Sequence, residues 1–204
     1  MSIVNLIYST LSHPRAYLVN QFLVGGMKAR RVVIEQYVKP EPGLCVLDIG
    51  CGPGYTAAYF TDPEYYGFDI SQRYIEFANE RYPTRGGFFA RIFDEEMLDI
   101  VPHVDVVLML GLLHHLDDET AGQAMALAKR AMKPEGRLFT VDGVYEPGQR
   151  RIVRFLLDRD RGKFVRAQDA YVRLAQQVFG TVSASAREDL FHVPYSALIL
   201  ECSS

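Results

Sequence analysis

The stretch VLDIGCGPG, residues 46–54, ends an apolar run with three closely spaced glycines. An apolar run of this length that glycines close is typical of a buried strand in a parallel sheet. Glycines let the backbone turn sharply and approach a ligand where a side chain would collide, and a helix that starts after the turn presents unpaired N–H groups. The stretch therefore predicts a strand, a tight turn and a helix that together form a ligand site.

Two carboxylates accompany this turn. Asp48 lies inside the strand, where a carboxylate costs desolvation unless it meets a cation or hydrogen-bond donors. Asp69 ends the next apolar run, residues 65–70, where a carboxylate can accept both ribose hydroxyls of an adenosine. The spacing G-x-G-x-G differs from the G-x-G-x-x-G of dinucleotide-binding turns. Glycines alone also fit a plain strand-to-helix turn, and the two acids favour a binding site.

Strand-like and helix-like segments alternate along the rest of the chain. The pattern predicts helices at 14–38, 71–82, 117–132 and 169–179, strands at 44–49, 65–70, 87–93, 105–110 and 137–142, and a closing hairpin of 181–186 with 196–202. Strands that alternate with helices imply right-handed βαβ crossovers and a largely parallel sheet covered on both faces. We therefore expect a Rossmann-like three-layer α/β/α sandwich with a seven-stranded mixed sheet whose last strand is antiparallel.

Length and composition predict one domain over residues 1–204. We divide it into an N-terminal helical lid (1–38), a cofactor-binding core (40–145), a substrate lid (146–168) and a terminal helix with the hairpin (169–204). The formal net charge of -3 gives no general attraction to nucleic acid or to an anionic membrane. The three cysteines lack metal-ligand spacing, and the longest apolar run, 104–113, is too short to span a bilayer. These features favour a reduced, cytoplasmic protein with no metal site.

The motif of Asp48, Gly50, Gly52 and Gly54 resembles the first motif of class I S-adenosylmethionine-dependent methyltransferases, D-x-G-x-G-x-G. The resemblance covers residues 40–145. It implies that the cofactor is S-adenosyl-L-methionine, with S-adenosyl-L-homocysteine as product. It further implies the roles of the first site residues: the backbone from Gly50 to Gly54, with Cys51, faces the methionine part, Asp48 supports the ammonium group, Asp69 holds the ribose and Ile70 packs against adenine.

The third and fourth strands contribute further candidates by the same resemblance. Many relatives have an acid at the end of strand three that binds the adenine amino group, whereas this chain has Arg91 there. Either Asp94 or the backbone of Ile92 then serves the adenine. Leu110 and Gly111 would line the floor under the methionine end of the cofactor.

His114 and His115 follow strand four, close to the expected position of the transferred methyl group. A neutral imidazole can accept the proton of an attacking hydroxyl or nitrogen, so His114 is the candidate catalytic base. The alternative is that these histidines cap the next helix or fill the core. We take His115 as structural, because a two-histidine metal site would lack a third ligand nearby.

A basic segment lies between strand five and the next helix. It contains Arg150, Arg151, Arg154, Arg159, Arg161, Lys163 and Arg166. Such a run fits a solvated helix with local ion pairs. It also fits a lid in which Arg150, Arg154 or Arg161 clamps an anionic acceptor. Residues 1–38 could form the other half of the lid, with Tyr8, Tyr17 and Phe22 as aromatic candidates.

The sequence therefore predicts a methyltransferase that acts on an oxygen, nitrogen or carbon of a small-molecule substrate. A nicotinamide-dependent oxidoreductase is the first alternative, but the glycine spacing and the lack of a Tyr-x-x-x-Lys pair argue against it. A non-catalytic cofactor-binding module on the same fold is the second. A nucleic-acid methyltransferase is disfavoured, because the loop after strand four lacks an Asn/Asp-Pro-Pro-aromatic motif.

Overall fold

A mixed β-sheet forms the centre of the computed structural model, which describes residues 23–61, 63–160 and 162–204. The strands are β1 (Cys45–Ile49), β2 (Glu64–Phe68), β3 (Gly87–Phe89), β4 (Val104–Leu110), β5 (Met132–Tyr145), β6 (Arg166–Ala167), β7 (Thr181–Arg187) and β8 (Ala197–Ser203). Seven of them follow the order β3-β2-β1-β4-β5-β8-β7, and the short β6 pairs with the end of β5.

The pairing confirms the predicted fold class. Strands β1 to β5 pair in parallel, and β8 runs antiparallel to both β5 and β7. The strand order reverses between β1 and β4, and in open α/β sheets ligands bind at the carboxyl ends of the strands beside such a switch point. The loops after β1 and β4 therefore border the expected site.

Helices cover both faces of the sheet. They are α1 (Gly26–Val33), which continues into a π-helical turn (Ile34–Val38), α2 (Gln72–Arg81), α3 (Asp118–Ala131), α4 (Arg151–Leu157) and α5 (Gln168–Gln176). Short 3₁₀ turns lie at Tyr55–Tyr59, Glu95–Asp99 and Leu113–His115. No helix in the described ranges has the length and apolar character that crossing a bilayer requires. The predicted helix of residues 14–22 lies outside the described residues.

The core of the described residues has three clusters of buried side chains, and two of them lie on opposite faces of β1, because successive side chains of a strand point to opposite faces. In β1, Leu47 packs with residues of α3 and α5, whereas Val46 packs with Ile34 and with Ala78 of α2. Full burial of each such aliphatic side chain contributes about 1.5–3 kcal/mol. The two clusters hold β1 firmly and thereby fix the start of the glycine turn.

Two predicted boundaries are wrong. Strand three ends at Phe89 and not at residue 93. Strand five begins at Met132 and not at residue 137, because residues 133–136 form a register shift within the β4–β5 pairing. The basic segment after strand five contains the helix α4, in agreement with the solvated helix that its composition fits. The predicted helix cap is confirmed at Asp117, whose side chain accepts a hydrogen bond of 2.8 Å from the Thr120 backbone N–H.

The side chain of Asn79 in α2 borders the outer edge of β3. Its Nδ2 donates to the Phe88 carbonyl (3.1 Å), and its Oδ1 accepts from the Phe88 N–H (3.2 Å). In a parallel pair the N–H and C=O of one residue point to the same side. The amide of Asn79 therefore pairs with the backbone groups of β3 that face away from β2.

Candidate active site

The three glycines of the turn after β1 have different physical reasons to be glycine. All have positive φ, at +78° for Gly50, +55° for Gly52 and +73° for Gly54. A Cβ added at Gly54 would lie 2.8 Å from the Cβ of Ala78 and 2.9 Å from the Phe88 ring, so this glycine permits close packing. A Cβ at Gly52 would have nothing within 4 Å. The space beside Gly52 is therefore open, as a ligand cradle requires.

The backbone N–H groups of the turn are bonded within the protein. Those of Gly50 and Cys51 both donate to the Phe68 carbonyl, at 2.8 and 3.0 Å, and that of Gly54 donates to the Cys51 carbonyl at 3.2 Å. The segment that follows is a five-residue 3₁₀ turn and not an α-helix. The expected α-helix after the turn is therefore a 3₁₀ turn in the structure, and the amides of Gly50, Cys51 and Gly54 are satisfied within the protein.

Cys51 turns its side chain inward. The thiol is buried, and burial raises its pKa well above the ordinary range of a cysteine. It is accordingly an unreactive thiol. Any contribution of Cys51 to a ligand site comes from its backbone.

Asp69 connects the glycine turn with the loop after β2. Its Oδ2 accepts the Gly52 N–H at 3.0 Å, and its Oδ1 accepts the Ser71 N–H at 2.8 Å. Burial raises the pKa of Asp69, and these two hydrogen bonds oppose the rise. Each carboxylate oxygen can accept a further hydrogen bond, so the group is held in place with acceptor capacity to spare. The next residue, Ile70, is 80% exposed beside it.

Asp48 is enclosed beneath the same turn. Its Oδ2 accepts a 2.5 Å hydrogen bond from the Tyr65 hydroxyl. Burial raises the pKa of Asp48 to about 6, although the Tyr65 hydroxyl and the charge of Arg30 lower it. Because the carboxylate is buried, it acts on its surroundings through its electric field. Arg30 of α1 is close enough for its charge to lower the pKa of Asp48.

The end of β3 offers an apolar surface. Ile92 is 63% exposed. Arg91, which replaces the acid of many relatives, donates to Asp94 at 2.8 Å and to Glu96 at 3.1 Å. These two carboxylates neutralise the guanidinium, so Arg91 adds no uncompensated charge here.

A cavity of about 430 Å³ opens at the carboxyl ends of β4 and β5. Its wall is mainly apolar and comes from α1, α4, the loop 191–195 and the two strand ends, with Leu110 and Gly111 among its residues. The polar groups in the wall belong to Arg30, His114, His115, Asp142, Arg159, Asp160 and Tyr195. A cavity with an apolar wall and few polar groups suits a small organic ligand.

His114 is held between two carboxylates. Its Nδ1 lies 2.7 Å from Asp142 Oδ1, which also accepts the His114 backbone N–H at 3.1 Å, and its Nε2 lies 3.4 Å from Asp160 Oδ1. Burial would lower the pKa of His114, but the hydrogen bond and charge of Asp142, together with the charge of Asp160, raise it overall. The arrangement stabilises a protonated imidazole.

Comparisons with known proteins agree with this geometry. Residues 47–138 match a family model described as a methyltransferase domain.

The chain resembles a methyltransferase domain over residues 47–138 and has the class I methyltransferase fold.

Two curated relatives each share 29% identity with part of this chain. One is the cyclopropane-fatty-acyl-phospholipid synthase of Escherichia coli (strain K12), with 56% of this chain and 30% of the synthase covered. The other is an O-methyltransferase of Pyrenophora dematioidea, with 54% and 43% covered. The chain thus spans less than half the length of these relatives. The solved structure of the S-adenosylmethionine-dependent methyltransferase SibL superposes with a TM-score of 0.65 at 16% identity, covering 86% of this chain and 55% of SibL, and shows the fold.

The basic segment after β5 does not form the predicted anion clamp at Arg150 and Arg154. Arg150 lies 3.4 Å from Glu188, and Arg154 packs over the Tyr145 ring at 5.0 Å. Neither lines the cavity. The clamp is therefore wrong for these two arginines, because each is engaged elsewhere. Arg161 lies outside the described residues, as do Tyr8, Tyr17 and Phe22.

Arg166 of the same segment is buried and fastens the loop that carries His114. Its guanidinium donates to the carbonyls of Leu113 (2.9 Å), Leu116 (2.6 Å) and Phe164 (2.9 Å) and to Asp118 Oδ1 (2.7 Å). The Phe164 N–H donates to the His114 carbonyl at 2.9 Å, and a Cβ at Gly162 would overlap the imidazole. The segment thus packs directly on His114.

The sequence analysis did not include four polar residues of the cavity wall among its candidate site residues: Arg30, Asp142, Asp160 and Tyr195. One sequence signal for Asp142 existed, because it interrupts the apolar run of strand five as Asp48 interrupts that of strand one. The other three lie on a helix and two loops, and their neighbours in sequence carry no pattern that points to the cavity.

Proposed function

We propose that this chain transfers a methyl group from S-adenosyl-L-methionine to a small-molecule acceptor that enters the cavity beside β4 and β5. The observation that carries the proposal is the open space at Gly52, next to the acceptor-capable Asp69. The cavity supports it, because it adjoins the same sheet edge.

The residues around the glycine turn fit the parts of this cofactor. Asp69 would accept the ribose hydroxyls, and the exposed side chains of Ile70 and Ile92 would cover the adenine. The turn from Gly50 to Gly54 and Leu110 would border the methionine part. The field of Asp48 would favour its ammonium group, and Arg30, missing from our sequence-based set, would pair with its carboxylate.

When bound, the cofactor supplies an electrophilic methyl group on a sulfonium centre. The chain would orient an acceptor against it and exclude water, since alignment and desolvation provide much of the rate enhancement in such displacements. The network of His114, Asp142 and Asp160 would hold the proton that a hydroxyl or amine acceptor releases.

Calorimetric titration of S-adenosylmethionine and S-adenosylhomocysteine tests the cofactor. Wild type should bind both, and Gly52→Ala should weaken both at least tenfold because its methyl group enters the ligand space. Gly43→Ala is the matched control, since Gly43 also has positive φ (+79°) and open space around it but lies before β1. It imposes similar backbone strain away from the site and should leave affinity unchanged.

Binding of NADH without binding of S-adenosylmethionine would contradict the proposal and favour an oxidoreductase. Mass spectrometry of a broad acceptor panel tests catalysis. Cofactor binding with no methylated product across that panel would favour a non-catalytic binding module.

A further inference from the structure

We propose that Asp160 is the carboxylate that contacts the methyl acceptor, and that the acceptor presents a hydrogen-bond-donating amine or hydroxyl to it. This inference rests on the proposed function and extends it to the class of acceptor. It replaces the anionic acceptor that the basic segment suggested.

Asp160 occupies a fixed position in the cavity wall. Its Oδ1 accepts the Gly162 N–H at 2.9 Å and faces His114 Nε2, and its Oδ2 accepts the Tyr195 hydroxyl at 2.8 Å. The side chain remains 23% exposed. Because each carboxylate oxygen can accept about two hydrogen bonds, Asp160 is held from three sides and still has acceptor capacity toward the cavity.

His114 is less suited to direct contact. Only 10% of its side chain is exposed, and both ring nitrogens face carboxylates. Gly162 packs against the ring. Its role is therefore to position Asp160 and to place the positive charge of a protonated imidazole beside that carboxylate.

Around His114 the polar wall has more acceptor sites than donors. Two carboxylates flank one imidazole, and Asp142 Oδ2 is buried with no hydrogen-bond partner in the described part of the chain. A buried acceptor without a donor costs free energy. An N–H or O–H donor complements such a wall, whereas a carboxylate on the acceptor would be repelled by it.

The nearby cations do not reverse this preference. Arg159 stacks over the Phe155 ring at 4.1 Å, at an exposed position on the cavity rim. Arg30 lies within the field of Asp48, on the side that the proposed function gives to the cofactor.

The proton balance fits such a group. As the acceptor nitrogen or oxygen forms its bond to the methyl carbon, the carbon–sulfur bond breaks with its electron pair on sulfur. An amine, alcohol or phenol then loses one proton, which passes to Asp160. A carboxylate acceptor would release no proton and would leave this role of Asp160 unused.

Three probes that share a benzyl group test the assignment: benzylamine, benzyl alcohol and phenylacetate. Ligand-observed NMR would measure their binding to the chain saturated with S-adenosylhomocysteine. Benzylamine or benzyl alcohol should bind at least tenfold more tightly than phenylacetate, and their order distinguishes an amine from a hydroxyl acceptor. Asp160→Asn should reduce that preference to less than about threefold.

Asp158→Asn is the control variant. Asp158 is exposed, accepts the Tyr145 hydroxyl at 2.8 Å and does not line the cavity, so its loss should keep the preference. Tyr195→Phe provides a second variant, because it removes the donor to Asp160 and keeps the carboxylate. It should increase the preference for benzylamine by about twofold to threefold.

Equal or tighter binding of phenylacetate by wild type would overturn the inference. So would a preference that survives in a folded Asp160→Asn, or one that falls in Tyr195→Phe. Absence of S-adenosylhomocysteine binding would instead refute the proposed function, so the two failures are distinguishable.

Discussion

Asp48 shows how a single carboxylate can link pH to stability. Its pKa is about 6 in the folded chain, compared with the ordinary 3.8. The folded state therefore binds the proton more tightly than the unfolded state between these values. Stability from this group is present at low pH and decreases as pH rises from about 4 to above 6, by about 3 kcal/mol in all.

Asp48→Asn should remove this dependence. The variant keeps an oxygen for the Tyr65 hydroxyl and carries no charge, so urea unfolding should show it more stable than wild type at pH 7 and similar near pH 4. Asp105→Asn is a control for which the opposite change in stability at pH 7 is expected. Burial would raise the pKa of Asp105, but its bonds to Lys133 and to the Cys45 N–H lower it overall, so this carboxylate stabilises the fold above its unfolded pKa. An increase in the unfolding free energy of Asp48→Asn that is the same at pH 4 and pH 7 would refute this account.

Local sequence was sufficient to predict the residues around the glycine turn. Asp48, Gly52 and Asp69 lie at strand ends whose apolar runs are visible in the sequence, and parallel strands bring their carboxyl ends together. Asp160 could not be predicted in this way, because its contacts with His114 and Tyr195 join segments far apart in the chain. No local pattern encodes such contacts.

At the scale of elements, the Arg166 guanidinium fastens residues 162–167 to the loop that carries His114. Arg166→Met keeps much of the side-chain volume but removes this donor from the carbonyls of Leu113, Leu116 and Phe164. Of these, the Leu113 carbonyl keeps the Leu116 N–H. We expect a loss of about 2–4 kcal/mol in unfolding free energy, since buried groups lose charged partners. Denaturant titration measures the loss.

Arg173→Met is the comparison for Arg166. Arg173 pairs with Asp169 on the exposed face of α5, and such a surface pair is worth less than about 1 kcal/mol. Hydrogen exchange should also become faster in residues 162–167 of Arg166→Met alone. Similar stability losses in both variants would show that Arg166 does not fasten the segment.

The predicted elements were most accurate where a long apolar run met a clear stop. Strand four and the helix after Asp117 are found close to their expected bounds. Strand three is shorter than its apolar run, because the chain turns away after Phe89. Residues 133–136, which separate the predicted helix from the predicted strand five, form a bulge within the strand, since Met132 already pairs with Val104. In both strands the observed ends depend on which residues of the neighbouring strand they pair with, and the sequence does not show this.

For the whole molecule, cofactor binding should raise thermal stability. A ligand at 100 times its Kd stabilises by about 2.7 kcal/mol, which corresponds to about 5–10 °C in Tm for a chain of this size. Scanning calorimetry with S-adenosylhomocysteine should show this shift in wild type. Asp69→Ala should lose most of it, because removing charge-assisted bonds to the ribose costs roughly 2–4 kcal/mol in affinity.

The size of the shift, and not Tm itself, is the measurement for Asp69→Ala, since this variant also loses the bonds to Gly52 and Ser71. Asp99→Ala, at an exposed position after β3, should keep the full shift. An undiminished shift in Asp69→Ala would show that this carboxylate does not hold the ribose.

The Asn79 amide has a consequence for how copies of this chain can meet. A sheet that ends in unpaired backbone groups is a template on which another chain can add a strand. At β3 the outward N–H and C=O of Phe88 are already bonded to Asn79. One side chain thus caps the sheet at this border, so that stacking of molecules into a continuous, polymerising sheet cannot start from Phe88.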